Sequence, residues 1–296
     1  MTCNDLSAST TRWGARLSHR TARGAAGDGA VPQFSRRAVL RGGMFATGGA
    51  AGSWLGARAW GWTRPDRLPI NGGYAPTEDN SRLIKRGQVT STFFVQTTHP
   101  VVALTFDDGP GPNWTPMVLD QLDEVEASAT FFMVGEHLRA NSRLVANRME
   151  RHEIGNHTWT HADLAEMDVN GALSQLTKTA DEIRTVFGRD PTIMRPPWAH
   201  LGGSTVLAAS KLSYDIVVWS RQMSPSRYAN DTAGQVAAIV KNARPGDIIL
   251  AHDVGDPRRL AGLKGVADIV RGLRDRGIEP VTVSRLLGVA TPVTSI

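Results

Sequence analysis

Between about residue 88 and residue 288 the chain alternates short β-branched or apolar runs with longer amphipathic ones. Few folds accept that pattern. The short runs "PVVALTF", "ATFFMV", "EIGNH", "TIMR", "YDIVVWS", "DIILAH" and "EPVTV" read as strands. "QVTSTFFVQT" reads as another, expected to pair with "PVVALTF" around His99-Pro100. The intervening stretches read as helices: "TPMVLDQLDEVE", with Thr115 to cap and Pro116 in the first turn, "NSRLVANRMERH", "NGALSQLTKTADEIRTVFG" closed by Gly188, "GGSTVLAASKL", "TAGQVAAIVKNARPG" and "RLAGLKGVADIVRGLRDRG". Strands separated by helices imply a parallel sheet, because a parallel return needs a crossover long enough to hold a helix. Open or closed, such a sheet binds ligands at the C-terminal ends of its strands. Those ends carry Asp107 and Asp108, His157, Arg195, Trp219 and His252. Ionisable or aromatic groups at the same end of several strands read as an active site.

The N-terminal part differs in kind. Residues 1–41 hold seven arginines against two aspartates, whereas residues 60–296 carry 25 basic and 26 acidic residues. The formal charge of +5 therefore belongs to the N-terminal segment, and a nucleic-acid partner loses its main support. "SRRAVLR" precedes a mildly apolar Gly/Ala-rich stretch and small residues at Ala57-Arg58-Ala59. Residues 1–59 thus read as a twin-arginine-type export signal with a long basic n-region, whose partner is the export machinery. The expected location is extracellular or cell-wall associated, or membrane-tethered if the signal is not cleaved. Gly42, Gly43, Gly48, Gly49 and Gly52 oppose a stable soluble helix there. Residues 60–87, rich in Pro, Gly and polar residues, read as a linker, residues 88–288 as the catalytic domain and 289–296 as a C-terminal tail. Cys3 is the one cysteine and falls in the signal, so the mature chain has no disulfide, cysteine-ligated zinc or cysteine nucleophile.

Two adjacent carboxylates repel, and "LTFDDGPG" places Asp107 and Asp108 together where a strand ends. His157 and His161 are four apart in "NHTWTH". If the chain turns into a helix after Asn156, both imidazoles share one face, although surface helices also carry such pairs by chance. With one carboxylate they form a three-ligand face with positions open for water, the pattern of a catalytic divalent site, zinc by default. One aspartate then binds the cation, and the other, directed elsewhere by strand alternation, can accept a proton. Arg195 in "MRPPWAH" can hold the base carboxylate bidentately, or form a surface salt bridge before a rigid turn. His252, ending an apolar strand in "ILAHD", is either a general acid or a core histidine bonded to a carbonyl.

"TFDDGP", "HTWTH", "RPPW" and "ILAHD", in this order and on this strand pattern, resemble the polysaccharide deacetylases of carbohydrate esterase family 4, the NodB-homology domain. The resemblance covers about residues 88–288. It implies an α/β fold, a distorted (β/α) barrel of about seven strands, and metal-dependent hydrolysis of acetyl groups on a polysaccharide. It makes Asp107 the catalytic base and Asp108, His157 and His161 the metal ligands. Arg195 orients Asp107, His252 is the general acid, and the Trp198 N–H donates to the oxyanion. Substrate contacts are expected at Pro197, Trp219 and Leu250, with sugar stacking on Trp114, Trp159 or Trp198. The substrate implied is an acetylated cell-wall or extracellular polymer, peptidoglycan or chitin-like, with N-acetyl groups first and O-acetyl xylan-type esters as the alternative.

One departure stands out. The family carries an Asp-Trp pair whose aspartate supports the acid histidine, but here "WSRQMSPSRYAND" puts Pro225 and Ser226 about where it would fall. Asp231 and Asp253 are the candidate replacements, and a weaker acid role for His252 is expected. A catalytically silent polysaccharide-binding protein is the rival reading. A glycosidase is disfavoured, because adjacent aspartates at one strand end cannot flank a glycosidic bond from both sides.

Overall fold

A computed structural model describes residues 89–291, and the export signal and linker lie outside the described residues. The strands are β1 (Ser91–Thr92), β2 (Val101–Asp107), β3 (Thr130–Met133), β4 (Glu153–Asn156), β5 (Ile193–Met194), β6 (Asp215–Val217), β7 (Arg221–Gln222), β8 (Ile248–His252) and β9 (Glu279–Val281). The helices are α1 (Trp114–Glu124), α2 (Gly135–Asn141), α3 (Val169–Phe187), α4 (Gly203–Lys211), α5 (Thr232–Asn242), α6 (Leu260–Leu263), α7 (Val266–Asp275) and α8 (Val283–Leu287). The sheet runs β1-β6-β5-β4-β3-β2-β8-β7, with β9 paired to the first half of β2. Every strand pairing is parallel, as the alternation of strands and helices requires. The result is a distorted (β/α) barrel. Eight strands form the continuous order where the resemblance implies about seven, and the two-residue β7 is too short to show periodicity.

"QVTSTFFVQT" does not pair with "PVVALTF". Ser91 and Thr92 lie instead beside Ile216 and Val217 on β6, and Phe94 bridges Asp247 just before β8. This segment ties the β6 edge to the foot of β8. Val95 N–H donates to the Gly246 carbonyl at 3.0 Å. Gly246 has φ +91, and a Cβ there would sit 1.9 Å from the Val95 carbonyl oxygen, so only glycine fits.

Strand alternation sorts β2 into two faces. Val102, Leu104 and Phe106 point out to the helices and join the largest core cluster with Leu119, Leu122, Ile269, Val270 and Leu273. Ala103 belongs to the inner cluster with Phe132, Val217, Ile248 and Val281. Thr105 and Asp107 continue the inner face, so a run of apolar residues ends on a carboxylate inside the barrel mouth. Asp107 lies directly beside His252 of β8 in register.

Helix α3 starts at Asp168, whose side chain accepts from Gly171 N–H, and stops at Gly188 in the left-handed conformation. Three local expectations differ. "NSRLVANRMERH" supplies only a 3-10 turn, the helix lying earlier at α2, and the long stretch after Arg259 breaks into α6 and α7. Asn113, not Thr115, is the N-cap residue of α1; the Thr115 hydroxyl accepts from Gly111 N–H and donates to Asp253. No helix among the described residues is long and apolar enough to cross a membrane.

Candidate active site

Asp107 closes β2 and is buried. Its Oδ1 receives Arg195 Nη1 at 2.6 Å, and its Oδ2 lies 3.8 Å from His157 Nε2. Arg195, fully buried just past β5, donates through Nε to the Val217 carbonyl (3.0 Å), through Nη2 to the Val218 carbonyl (2.8 Å) and through Nη1 also to Thr105 (2.8 Å). Its guanidinium is stacked 4.1 Å from the Phe132 ring centroid. The grip on Asp107 is therefore a single charged hydrogen bond and not the expected bidentate one, because three other acceptors use the rest of the fork. Burial lowers the Arg195 pKa, and the Asp107 charge works against that.

Asp108 lies beyond the strand at φ 77, a left-handed conformation uncommon for a residue with a Cβ. This turn, rather than strand alternation, swings its carboxylate toward the same histidines. Asp108 Oδ1 sits 3.5 Å from His157 Nε2 and 3.2 Å from His161 Nε2. The two imidazoles do not share a helical face. Thr158 (φ 68) and His161 (φ 55) are left-handed, and the loop they bend brings the ring centroids to 5.0 Å. Asp108, Thr158, His161, Trp198 and Ala199 all have positive φ. Such conformations cost about 1–3 kcal/mol each and persist where surrounding packing imposes them.

The donor set fits a cation. One ligand atom from each of Asp108, His157 and His161 lies within 4.8 Å of the others. His157 Nδ1 lies 2.7 Å from the Arg195 carbonyl, which can only accept, so Nδ1 carries the proton and Nε2 presents a bare lone pair. Asp108 Oδ1, which faces it, is buried and has no hydrogen-bond partner. Two lone pairs aimed at one point leave room for a positive charge there. Burial raises the Asp108 pKa, but His157 and His161 outweigh it and hold the carboxyl well below the usual carboxylate range. Burial likewise opposes a charged His157, yet Asp107 and Asp108 raise its pKa overall.

Trp198 follows Pro196-Pro197 at φ 54, and its N–H donates to none of the described residues. Its indole is 57% exposed and meets His161 edge-on at 4.5 Å, forming a wall of the mouth. Pro197 and Leu250 are buried, Leu250 lying two residues before His252 on the same strand face, and Trp219 is half-buried 5.7 Å from the Arg195 guanidinium. Trp114 packs on the outer core. Trp159 is half-buried against Gly135, where a Cβ would come within 2.3 Å of its ring, and carries the Arg139 guanidinium. Of the three candidate platforms only Trp198 is freely exposed.

His252 stands beside Asp107, and its pKa is lowered by burial and by the nearby charges of Arg259 and His157, against Asp107 and Asp108. Neither candidate companion reaches it. Asp231 caps α5, accepting from Gly234 N–H at 2.7 Å. Asp253 is fully buried and accepts from the Thr115 hydroxyl at 2.5 Å; burial pushes its carboxyl up to about 7. Among the described residues no carboxylate hydrogen-bonds to the His252 ring. The cavity alongside His252 is lined by Met223, Pro225, Gln235 and Arg259.

Two neighbours of Asp108 were not singled out in the sequence. Arg259 Nη1 donates to Asp108 Oδ2 at 2.9 Å, and His137 Nδ1 to the Asp108 carbonyl at 2.6 Å. Neither "PRR" nor "GEHL" carries a hydropathy signal for this role, and the fold alone turns Arg259 and His137 inward.

The chain is similar to known proteins along most of its described length. The family model described as polysaccharide deacetylase matches residues 94–217. The chain is 36% identical over 198 residues to a peptidoglycan-N-acetylglucosamine deacetylase of Bacillus cereus, covering 66% of this chain and 92% of that protein. It is 34% identical to the peptidoglycan-N-acetylmuramic acid deacetylase PdaC of Bacillus subtilis, over 65% of this chain and 40% of that protein. A crystal structure of a peptidoglycan N-acetylglucosamine deacetylase superposes with a TM-score of 0.64 at 25% identity, covering 73% of this chain and 99% of that one. Matched along almost the whole of a curated relative, the chain belongs to the polysaccharide deacetylases of carbohydrate esterase family 4 and is a hydrolase of that class.

Proposed function

We propose that the chain is an exported, metal-dependent deacetylase of a cell-wall or extracellular polysaccharide, acting first on N-acetyl groups of peptidoglycan and next on a chitin-like polymer. One observation carries the reading: the buried, unpartnered Asp108 Oδ1 and two histidine nitrogens converge beside a carboxylate held by a buried arginine. The deacetylases named above support the substrate class.

Asp108, His157 and His161 would hold the divalent cation, zinc by the softness of a two-nitrogen, one-oxygen set. When bound, it supplies Lewis-acid polarisation of the acyl carbonyl and a more acidic water. Asp107 takes a proton from the attacking water at Oδ2, since Arg195 occupies Oδ1. The Trp198 N–H, free of any described partner, donates to the developing oxyanion. His252, beside Asp107, delivers a proton to the departing amine. The test is acetate release from acetylated glycans with and without a chelator. Chelator-sensitive release from N-acetylated glycans upholds the proposal; polymer binding without release would leave a wall-binding protein.

A second reading has its own support. An amine leaves poorly without protonation and an alkoxide less so, and no carboxylate backs His252 among the described residues. Faster turnover of O-acetylated xylan than of N-acetylated chitooligosaccharide would favour the ester substrate.

A further inference from the structure

We infer that Arg259 is a positioning residue for the metal centre, one that holds Asp108 to a single donor oxygen; this rests on the metal reading above. The two oxygens of Asp108 have different surroundings. Oδ1 is buried, without a hydrogen bond, and faces both histidine nitrogens. Oδ2 is held by Arg259 Nη1 at 2.9 Å. The same nitrogen donates to the Val254 carbonyl at 2.6 Å, which anchors the guanidinium to the loop after β8. His137 fixes the other end of the residue through the Asp108 carbonyl. A carboxylate held on one oxygen and at its backbone cannot rotate to offer both oxygens to a cation. It binds through one, leaving coordination positions for water and the acyl oxygen.

Neighbouring Arg258 shows that basic sequence alone does not produce this contact. It turns outward and pairs with Asp256 on the surface. Arg259 is half-buried and lines the cavity beside His252 that Pro225 shares, where the family would supply an aspartate. The acid histidine therefore faces a cation already committed to the metal ligand, so one residue links the two halves of the site.

The full-length protein, stripped with a chelator, is titrated with Zn(II) and Co(II) by equilibrium dialysis, and the Co(II) absorption spectrum is recorded. Arg259→Met should weaken binding about 10- to 100-fold, the usual effect of removing an outer partner of a ligand. Its Co(II) bands should weaken as Asp108 becomes bidentate and the coordination number rises. Arg259→Lys, which keeps one donor and the charge, should recover part of both the affinity and the spectrum. Unchanged or tighter binding by Arg259→Met overturns the inference, because the arginine would then only compete for Asp108. If Arg259→Met does not fold, Arg259→Lys decides: an affinity and spectrum identical to the parent overturn it. Failure of the parent chain to bind one equivalent of metal sinks the metal reading itself, a different result.

Discussion

Replacing Arg195 with methionine tests the assignment of this buried cation most severely. The side chain is fully buried and makes four hydrogen bonds, one to the equally buried Asp107. Methionine keeps much of the volume, so cavity formation is a small part of the effect. Leaving a buried carboxylate without its partner costs about 3–5 kcal/mol. The Val217 and Val218 carbonyls also lose a charged donor, adding about 1–2 kcal/mol. A total near 5 kcal/mol is a large share of the roughly 5–15 kcal/mol available to a domain. For a body of this size it lowers Tm by about 10–20 °C. Chemical unfolding at pH 7 of the parent, Arg195→Met, Asp107→Asn and the double variant forms a complete cycle. The double variant has no stranded carboxylate and should recover about 3 kcal/mol relative to the sum of the singles. A coupling energy below about 0.5 kcal/mol would refute the argument that the pair's charges, rather than packing, dominate. Metal affinity should change little in Arg195→Met, because His157 is held by the residue-195 carbonyl and not by its side chain.

Three further outcomes follow from the same geometry. Asp107→Asn should lower acetate release at least about 100-fold while one equivalent of metal still binds, measured by acetate assay and metal analysis. Trp198→Ala keeps the main-chain N–H but removes the exposed indole, so KM for polymer should rise about 5-fold with kcat nearly unchanged, read from steady-state kinetics. His152 is buried and has its pKa lowered from 6.5 to about 4 by burial, reinforced by Arg151, Arg148 and Arg189. Because the unfolded chain binds that proton more readily, stability is full above pH 6.5 and about 3 kcal/mol is lost as pH falls to 4. His152→Asn should flatten that slope in melting curves taken between pH 7 and 4, and an unchanged slope would remove His152 as its origin.

The site was more legible in the sequence than the local routes that assemble it. Strand ends named Asp107, His157, Arg195 and His252 in advance because apolar runs stopped on ionisable residues, and the register indeed sets Asp107 beside His252. The histidine spacing points to the right pair by an incomplete route. Helical spacing suggested a shared face, but two left-handed residues in a loop achieve the approach, and backbone conformation at Thr158 and His161 leaves no trace in hydropathy. The pairing of β1 with β6 is hidden from the sequence for a related reason. Its partners lie more than a hundred residues away on β6, and hairpin signals report only nearby chain. Arg259 was illegible because its neighbour Arg258 has the same chemistry and a surface fate; tertiary packing alone distinguishes them.

The contact between His157 and residue 195 bears on how such a protein can change over generations. That bond and the His137 bond to Asp108 are accepted by main-chain carbonyls, which every residue retains, and the Trp198 N–H, which donates to none of the described residues, survives any replacement except by proline. In the proposed mechanism proton transfer, by contrast, depends on the side chains of Asp107, Arg195 and His252. On that mechanism mutational drift can silence turnover while the candidate cation ligands and the exposed Trp198 wall remain nearly intact. If the proposed mechanism holds, a descendant that has lost hydrolysis should persist as a metal-loaded glycan binder rather than unfold, and its first substitutions should fall at positions 107 or 252 rather than at 195, whose loss strands a buried carboxylate.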